Sequence, residues 1–566
     1  MPDLKIVRLT AILVLLASAP ALAWVSVGSS PGFGTCTYTS IQDALDDGDT
    51  EIRIVNNQDY IENVLITGGR TIRGGFNSCL AASLNQSLGE NSTIDGSGSS
   101  LLPTILIATS STVTFTLENL TITGGSLGVH TGAMAGTLTV RDSLIGNNSG
   151  FEFGGGISVG NPGDILQVVI QDSAIIENES DYGGGIYCAS ANGRIRLESG
   201  TIADNLGTLD GGGVYLDNGC SFASYAGSRF DEDLYDGILR NMTSGDGGGI
   251  YAAGGARVEI NGHFGPFNLY GNNTDPATVA ENSAGFEGGG IYAIGSDTQI
   301  ELIDALIRDN SAGNRGGGAF VSNNASLTAN LSGDTCWGGW RCSQWRDNSA
   351  VLYGGHLSVY SGASIRLDRS HLSGGRARMG TALYGSGLFT LMQLDGSFLN
   401  GNGLTSGASV EEFVVRVNAG ANAELKHVTV GGNLTSGAAL AVNGTSSELN
   451  VTNSIVWHSS LPVLLATSSP VTAFDCVFVN ESGSTGAGGV EVADPEFRNA
   501  SAGDFRLSPN SPPIDACADA TATASDVEHH SRGIDDPASS NGAGLYDAGA
   551  DEYLIIDALF SDRFEP

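Results

Sequence analysis

The chain has 566 residues, 82 of them glycine, with 15% charged residues, 25 basic against 61 acidic, and a formal net charge of −36 at a pI near 4.3. Glycine is about twice its usual share and charge well below the usual quarter, which excludes coiled coils and helical bundles, and so acidic a surface repels nucleic acid. The 41% of hydrophobic residues still suffices for a buried core.

The first residues, MPDLKIVRLT, place Lys5 and Arg8 ahead of the apolar run AILVLLASAPALA, which closes on Ala21, Leu22 and Ala23. This pattern predicts a secretory signal peptide over residues 1–23 and an exported mature chain from Trp24. No later segment approaches the ~18 consecutive apolar residues of a membrane helix, so no transmembrane segment is expected after cleavage. Lys426 is then the one lysine left, and eight cysteines fit an oxidising compartment. Their pairing is open. Proximity favours Cys336 with Cys342, Cys188 with Cys220, and Cys36 with Cys79.

Between residues 148 and 358 one phrase returns seven times, for example NESDYGGGIY, NMTSGDGGGIY and NSAGFEGGGIY. Its first glycine falls at 154, 183, 211, 247, 288, 316 and 354. A period in this range marks a solenoid, whose units bury their faces only against one another. Three residues after that glycine stand Ile157, Ile186, Val214, Ile250, Ile291, Ala319 and Leu357. Three residues before the repeated asparagine stand Ile145, Ile175, Ile202, Ile238, Val279, Ile307 and Trp345. Both rows are expected as internal ladders. Alternating runs such as RIRLES (194–199) and QIELID (299–304) read as strands, and helical periodicity is absent from the repeats.

The expected fold is therefore all-β, a parallel β-helix. The repeated asparagines Asn148, Asn178, Asn205, Asn241, Asn282, Asn310 and Asn348 are expected on left-handed backbone, with side chains bonding the turn amides coil after coil. The glycines are expected at positive φ or at tight corners.

These units resemble the GGGI and GGAI repeats of polymorphic outer-membrane proteins and of secreted bacterial right-handed β-helix proteins of the pectin-lyase-like kind, which implies the right-handed form of the parallel β-helix. The segment CTYTSIQDALDDGDTEIRIVNNQDYIENVLITGGRTIRGGFNSC resembles the start of such β-helices, which implies a short helix near Ile41 to Leu45 capping the first coil. DPEFRNASAGDFRLSPNSPPIDA (494–516) and YDAGADEY (546–553) are similar to closing segments of the choice-of-anchor type. The terminal LIIDALFSDRFEP resembles the DGFE-type tags of exported gammaproteobacterial proteins, with Arg563 in place of the glycine. The implied organisation is a signal peptide over 1–23, a cap and first coils over 24–100, β-helix over 101–480, a closing segment over 481–553 and a tail over 554–566. The implied location is outside a Gram-negative cell, secreted or on its surface.

Three of the repeat intervals are long, 36, 41 and 38 residues against a base of 28 or 29, and each extra segment enters at the same point of its coil. They read SRFDEDLYDG (228–237), FGPFNLYGNNTDPAT (264–278) and SGDTCWGGWRCSQ (332–344). Insertions on one side of a solenoid commonly bind. Trp337, Trp340, Phe267, Tyr270, Tyr235 and Arg341 are the candidate ligand contacts, although the two tryptophans also suit packing around a Cys336 to Cys342 bridge. Asp231, Asp233 and Asp236, with Glu232, are either a calcium site or a solvated acidic loop.

Enzymes of this fold class that act on acidic polysaccharide need a base beside a charge-neutralising group, or a pair of carboxylates. The repeats contain no lysine, and the arginines near the inserted segments are Arg229, Arg315, Arg341 and Arg346, the last matching Arg308 of an insertion-free coil. His263, His356 and the tripeptide Asn273, Thr274, Asp275 add little. The leading expectation is a non-enzymatic, adhesin-like protein binding extracellular polysaccharide or a cell-surface protein, with a polysaccharide lyase or glycoside hydrolase as the alternative. If the acidic loop holds calcium, Asp231→Asn with Asp233→Asn abolishes any rise in melting temperature on adding Ca²⁺; if it is solvated, the melting temperature in Ca²⁺ is unchanged by the pair.

Overall fold

The computed structural model describes residues 24–554 apart from 30–34, 88, 110–111, 133–134, 160–164, 226–236, 263–276, 331–342, 404–412, 459–461, 481–488, 519–524, 529 and 540–541. Short alternating runs form strands, and those of the coils pair in parallel with the matching run one repeat further on, while Phe497–Asn499 and Asp504–Leu507 form a separate antiparallel pair. The result is a parallel β-helix with a 28-stranded first sheet, a 14-stranded second sheet and a six-stranded third sheet. One coil shows the plan: Arg257–Asn261 and Thr278–Ala280 in the first sheet, Ser283–Ala284 in the third, and Ile291–Ile294 in the second.

Both expected ladders are internal. Ile145, Ile175, Ile202, Ile238, Val279, Ile307, Trp345 and Leu372 stack in register. Ile157 through Leu357 form a second stack that continues to Leu383. All of these side chains are fully buried in one continuous apolar core. Trp345 is included, and its indole N–H lies buried without a partner.

The start of the solenoid is closed by two short helices. In α1 (Ile41–Asp46) the Ser40 hydroxyl caps the Asp43 amide, while Ile41, Ala44 and Leu45 enter the core beside Val25 and Val27. Helix α2 (Cys79–Ser83) is fastened by the Cys36–Cys79 disulfide. Cys188–Cys220 joins neighbouring coils, and Cys476–Cys517 ties the last coils to the closing segment. That third bridge is not among the expected pairs, and the Cys336 to Cys342 pair lies outside the described residues. Among the described residues no helix is long and apolar enough to cross a membrane.

The repeated asparagines are buried, but the left-handed position is the residue before each. Asn147, Glu177, Asp204, Arg240, Glu281, Asp309 and Asp347 take φ between 51° and 59°. The asparagine itself is spent on bonding. Asn205 Nδ2 donates to Asn241 Oδ1 (2.9 Å) and to Ile175 O (2.9 Å). Its Oδ1 accepts the Asn178 backbone N–H (3.0 Å) and Nδ2 (3.1 Å). Each amide thus has two donors and two acceptors engaged, which removes the cost of burying it. The first glycine of each repeat sits at φ between 65° and 74°, where a side chain is strained.

After Asn348 the ladder meets a coil with Gly375 in the asparagine position, and His356 fills the gap. His356 replaces the third glycine of its repeat, is completely buried, and lies 3.0 Å from Asn348 Nδ2 through Nδ1 and 3.1 Å from Asn402 Oδ1 through Nε2. Because Asn348 Nδ2 can only donate, Nδ1 accepts and Nε2–H donates, the same polarity as an amide rung. Burial lowers its pKa to about 3, consistent with a neutral ring. A Cβ on Gly375 would collide with the Thr381 carbonyl oxygen and lie 2.6 Å from the imidazole, so backbone and ring together hold this position to glycine.

Asn241→Ala strands the Asn205 N–H and Nδ2 donors on one neighbouring coil and leaves Asn282 Oδ1 on the other short of a donor, and is expected to cost about 3 kcal/mol in urea unfolding. His356→Gly is expected to destabilise comparably, and adding Gly375→Asn to recover little of that loss, because the Thr381 carbonyl still meets the new Cβ.

Candidate functional site

The two strand rows of the first sheet meet at a corner. Where nothing is inserted, two residues turn it, as Asp304 (φ 48°) and Ala305 do between Gln299–Ile303 and Leu306–Arg308. Three nearby coils open the chain at this corner: between Ser221–Tyr225 and Gly237–Leu239, between Arg257–Asn261 and Thr278–Ala280, and between Ser326–Asn330 and Gln344–Arg346. Flanking strands pair in register through all four coils. At about 4.8 Å per coil the roots of the inserted segments share a ridge of about 15 Å.

The residues that the sequence nominates, Trp337, Trp340, Phe267, Tyr270, Tyr235, Arg341, Asp231, Asp233 and Asp236, lie on these segments, outside the described residues. So do Arg229, His263 and the tripeptide 273–275. The remaining catalytic candidates have other roles. Arg346 stacks over Arg308. Arg315 pairs with Glu287 at 3.3 Å and lies over the Tyr360 ring, at the third-sheet turn away from the inserted corner. His356 is a rung of the buried ladder. Among the described residues no group of three or more His, Cys, Asp or Glu side chains could hold a metal ion.

The closing segment returns to the same corner. Arg369, Gly396, His427 and Asn453 occupy it in successive coils after the third insertion, all at positive φ. Arg369 Nη1 donates to Ser525 Oγ (2.7 Å), Ala550 N to Thr429 Oγ1 (2.9 Å), and Gly549 N to the Asn453 carbonyl (2.8 Å). Phe505, Val527 and Ala550 pack on Phe398. One corner therefore carries the three insertions and the closing segment in turn. Sequence reasoning misses this second tenant because its contacts span 121 and 156 residues.

The closing segment is mostly irregular, so its amides lack ladder partners, and buried carboxylates serve instead. Asp526 accepts from Glu528 N, His530 N and Glu552 N; Glu552 from Gly533 N and Ile534 N; Asp547 from Asp515 N and Tyr553 N; Asp551 from Leu507 N. Arg532 reaches Glu552 at 3.6 Å. Burial, then the charges of Glu528 and Asp526, push Asp551 up to about 8, and burial raises Asp547 and Glu552 as well.

On the second sheet Tyr187, Tyr215, Tyr251, Tyr292 and Phe320 stack ring on ring, with centroids 4.6–5.4 Å apart and tilts of 4–18°. The GGGIY phrase contains this row, as the residue after each ladder aliphatic. Ring faces within it are covered by neighbours, so it offers edges and hydroxyls rather than a platform for a sugar ring. Burial pushes the Tyr251 phenol up to about 12. Beside it, Asp210 Oδ1 accepts the Asp246 N–H and Asp246 Oδ1 the Glu287 N–H, each at 2.9 Å. Burial raises Asp246 to about 6.

Comparison with protein families and with curated proteins finds no match to the chain.

An unfolded aspartate titrates near 3.9. Because Asp551 is raised in the folded chain, its contribution is full below about pH 4 and is lost as pH rises toward about 8. Asp504 runs the other way: burial would raise it, but Arg506 outweighs burial and holds it low, so its contribution persists above the ordinary value and is lost only in strong acid. Amide exchange over residues 494–554 is therefore expected to quicken between pH 5 and pH 8 beyond its intrinsic pH dependence. Asp551→Asn, which mimics the protonated group, is expected to flatten most of that excess.

Proposed function

We propose that the protein is an exported, adhesin-like binding protein whose ligand, an extracellular polysaccharide or a cell-surface protein, is held along the corner carrying the inserted segments. The observation that carries this reading is the sharing of one corner by segments 226–236, 263–276 and 331–342, while the rest of each coil is spent on internal ladders. Roots spread over about 15 Å match a few sugar rings or a short peptide. Repetition along a rigid axis suits multivalent attachment.

Support for export comes from the signal-peptide pattern of residues 1–23 and from three disulfides, which persist outside reducing compartments. The resemblance to pectin-lyase-like and polymorphic outer-membrane repeats, and to choice-of-anchor closing segments, points to the same location on a Gram-negative cell.

The insertion-free coil supplies the test. Replacing 226–236, 262–277 and 331–343 each by Asp-Ala copies the corner at Asp304 and Ala305 and leaves the ladders intact. On a glycan and cell-surface protein array the triple replacement is expected to lose at least 10-fold in binding with its melting temperature nearly unchanged, and Trp337→Ala with Trp340→Ala to lose part of it. Unchanged binding would refute the assignment. Release of unsaturated or reducing-end sugars would replace it with a lyase or hydrolase.

A further inference from the structure

A second surface runs along the third sheet, away from the inserted corner. In the seven segments from each ladder asparagine to the first glycine, the turn carries large apolar side chains into solvent. Phe151 is 89% exposed, Leu209 46%, Met242 56%, Phe286 61% and Val351 63%. They stand one to four residues after the asparagine and point outward on five of the seven coils. Isolated exposed apolar residues are ordinary, but a band of them along one side of successive coils marks a contact surface.

The same seven segments hold six acidic residues, Glu152, Glu179, Asp181, Asp210, Asp246 and Glu287, against one cation, Arg315. That cation is spent on Glu287 and on the Tyr360 ring. Strip and chain are both strongly negative, so a second copy of this chain would be repelled. The occupant must be cationic on one side and apolar on the other.

Spacing narrows it further. Coils repeat at about 4.8 Å, close to the 5.4 Å pitch of an α-helix and far from the ~6.7 Å between same-face residues of a strand. A helix lying along the axis meets one coil per turn, and six coil steps, about 29 Å, accommodate five turns. From these observations we infer that the third-sheet strip from Phe151 to Val351 docks a basic amphipathic helix of a partner protein. Apolar side chains of the helix sit between Phe286, Met242 and Leu209, and its flanking lysines or arginines face the acidic row.

The test uses the mature full chain and three labelled 18-residue peptides of leucine and lysine with identical composition: an amphipathic helical pattern, a scrambled order and a strictly alternating order. Fluorescence anisotropy is read at low and moderate salt. The helical pattern is expected to bind at least 10-fold more tightly than either isomer. Phe151→Ser with Phe286→Ser and Val351→Ser is expected to remove that preference, and Glu152→Gln with Glu179→Gln to reduce the salt dependence. All five positions are exposed, so far-UV circular dichroism and melting are expected to stay at the parent values, and Phe286→Ser alone serves as a milder check. Equal binding of the scrambled peptide overturns the proposal, as does a preference for the alternating one or indifference to the serine substitutions. The Asp-Ala replacements at the inserted corner should leave peptide binding intact, so failure of either assignment is read independently.

Discussion

Everything in this solenoid rests on one exchange, the buried asparagine amide that gives two hydrogen bonds and takes two. A coil of 28 residues turns several times, and each turn strands backbone groups where water cannot reach them. Asn205 resolves this for three coils at once, bonding the carbonyl of Ile175, the oxygen of Asn241 and the amides of Asn178. Aliphatic ladders beside it supply the apolar burial, but they tolerate a range of shapes, from Ala319 to Trp345. The amide row does not. Where an asparagine is missing, a histidine with matched polarity is installed from the coil before.

This division of labour explains why the inserted segments are confined to the corner. Three faces of each coil are committed to pairing, and a side chain placed there must satisfy its equivalents above and below. At the corner of the first sheet two residues suffice, and the chain is free to insert eleven or more. That freedom is used repeatedly, first by loops and then by a segment returning from the end of the chain. The closing segment belongs to the fold as well as the surface, because it covers Phe398 and Ile455 with Phe505, Val527 and Ile514.

Elements whose logic is local are legible in the amino-acid sequence. The ladders from Ile145 to Trp345 and from Ile157 to Leu357 follow from residue spacing alone, and so does the asparagine row, because one repeat length carries each residue to its partner. Spacing puts the αL position one residue late, on the asparagine, because the residue before it varies from Asn147 and Asp204 to Glu177 and Arg240 and only the hydrogen bonds decide. His356 reads as an isolated histidine because its counterpart, the missing amide at Gly375, is visible only as an absence. Cys476 to Cys517 and the return of residues 525–550 to the corner are fixed by tertiary packing, with no repeat to announce them. Composition alone nominates the residues for ligand contact; their flanking strands place the segments together at one corner.

The pairing of His356 with Gly375 also bears on how such a chain changes length. Ordinary coils between Asn148 and Asn348 are interchangeable, since each offers the same donors upward and the same acceptors downward. One of them could be duplicated or deleted by unequal recombination without leaving an orphaned amide. The junction at 356 and 375 is different, because its two halves lie on neighbouring coils and only make sense together. A duplication that copied one without the other would bring an imidazole against a second amide, or leave a hole between two. Growth and shrinkage should therefore spare that junction, with the seam inherited as a single unit.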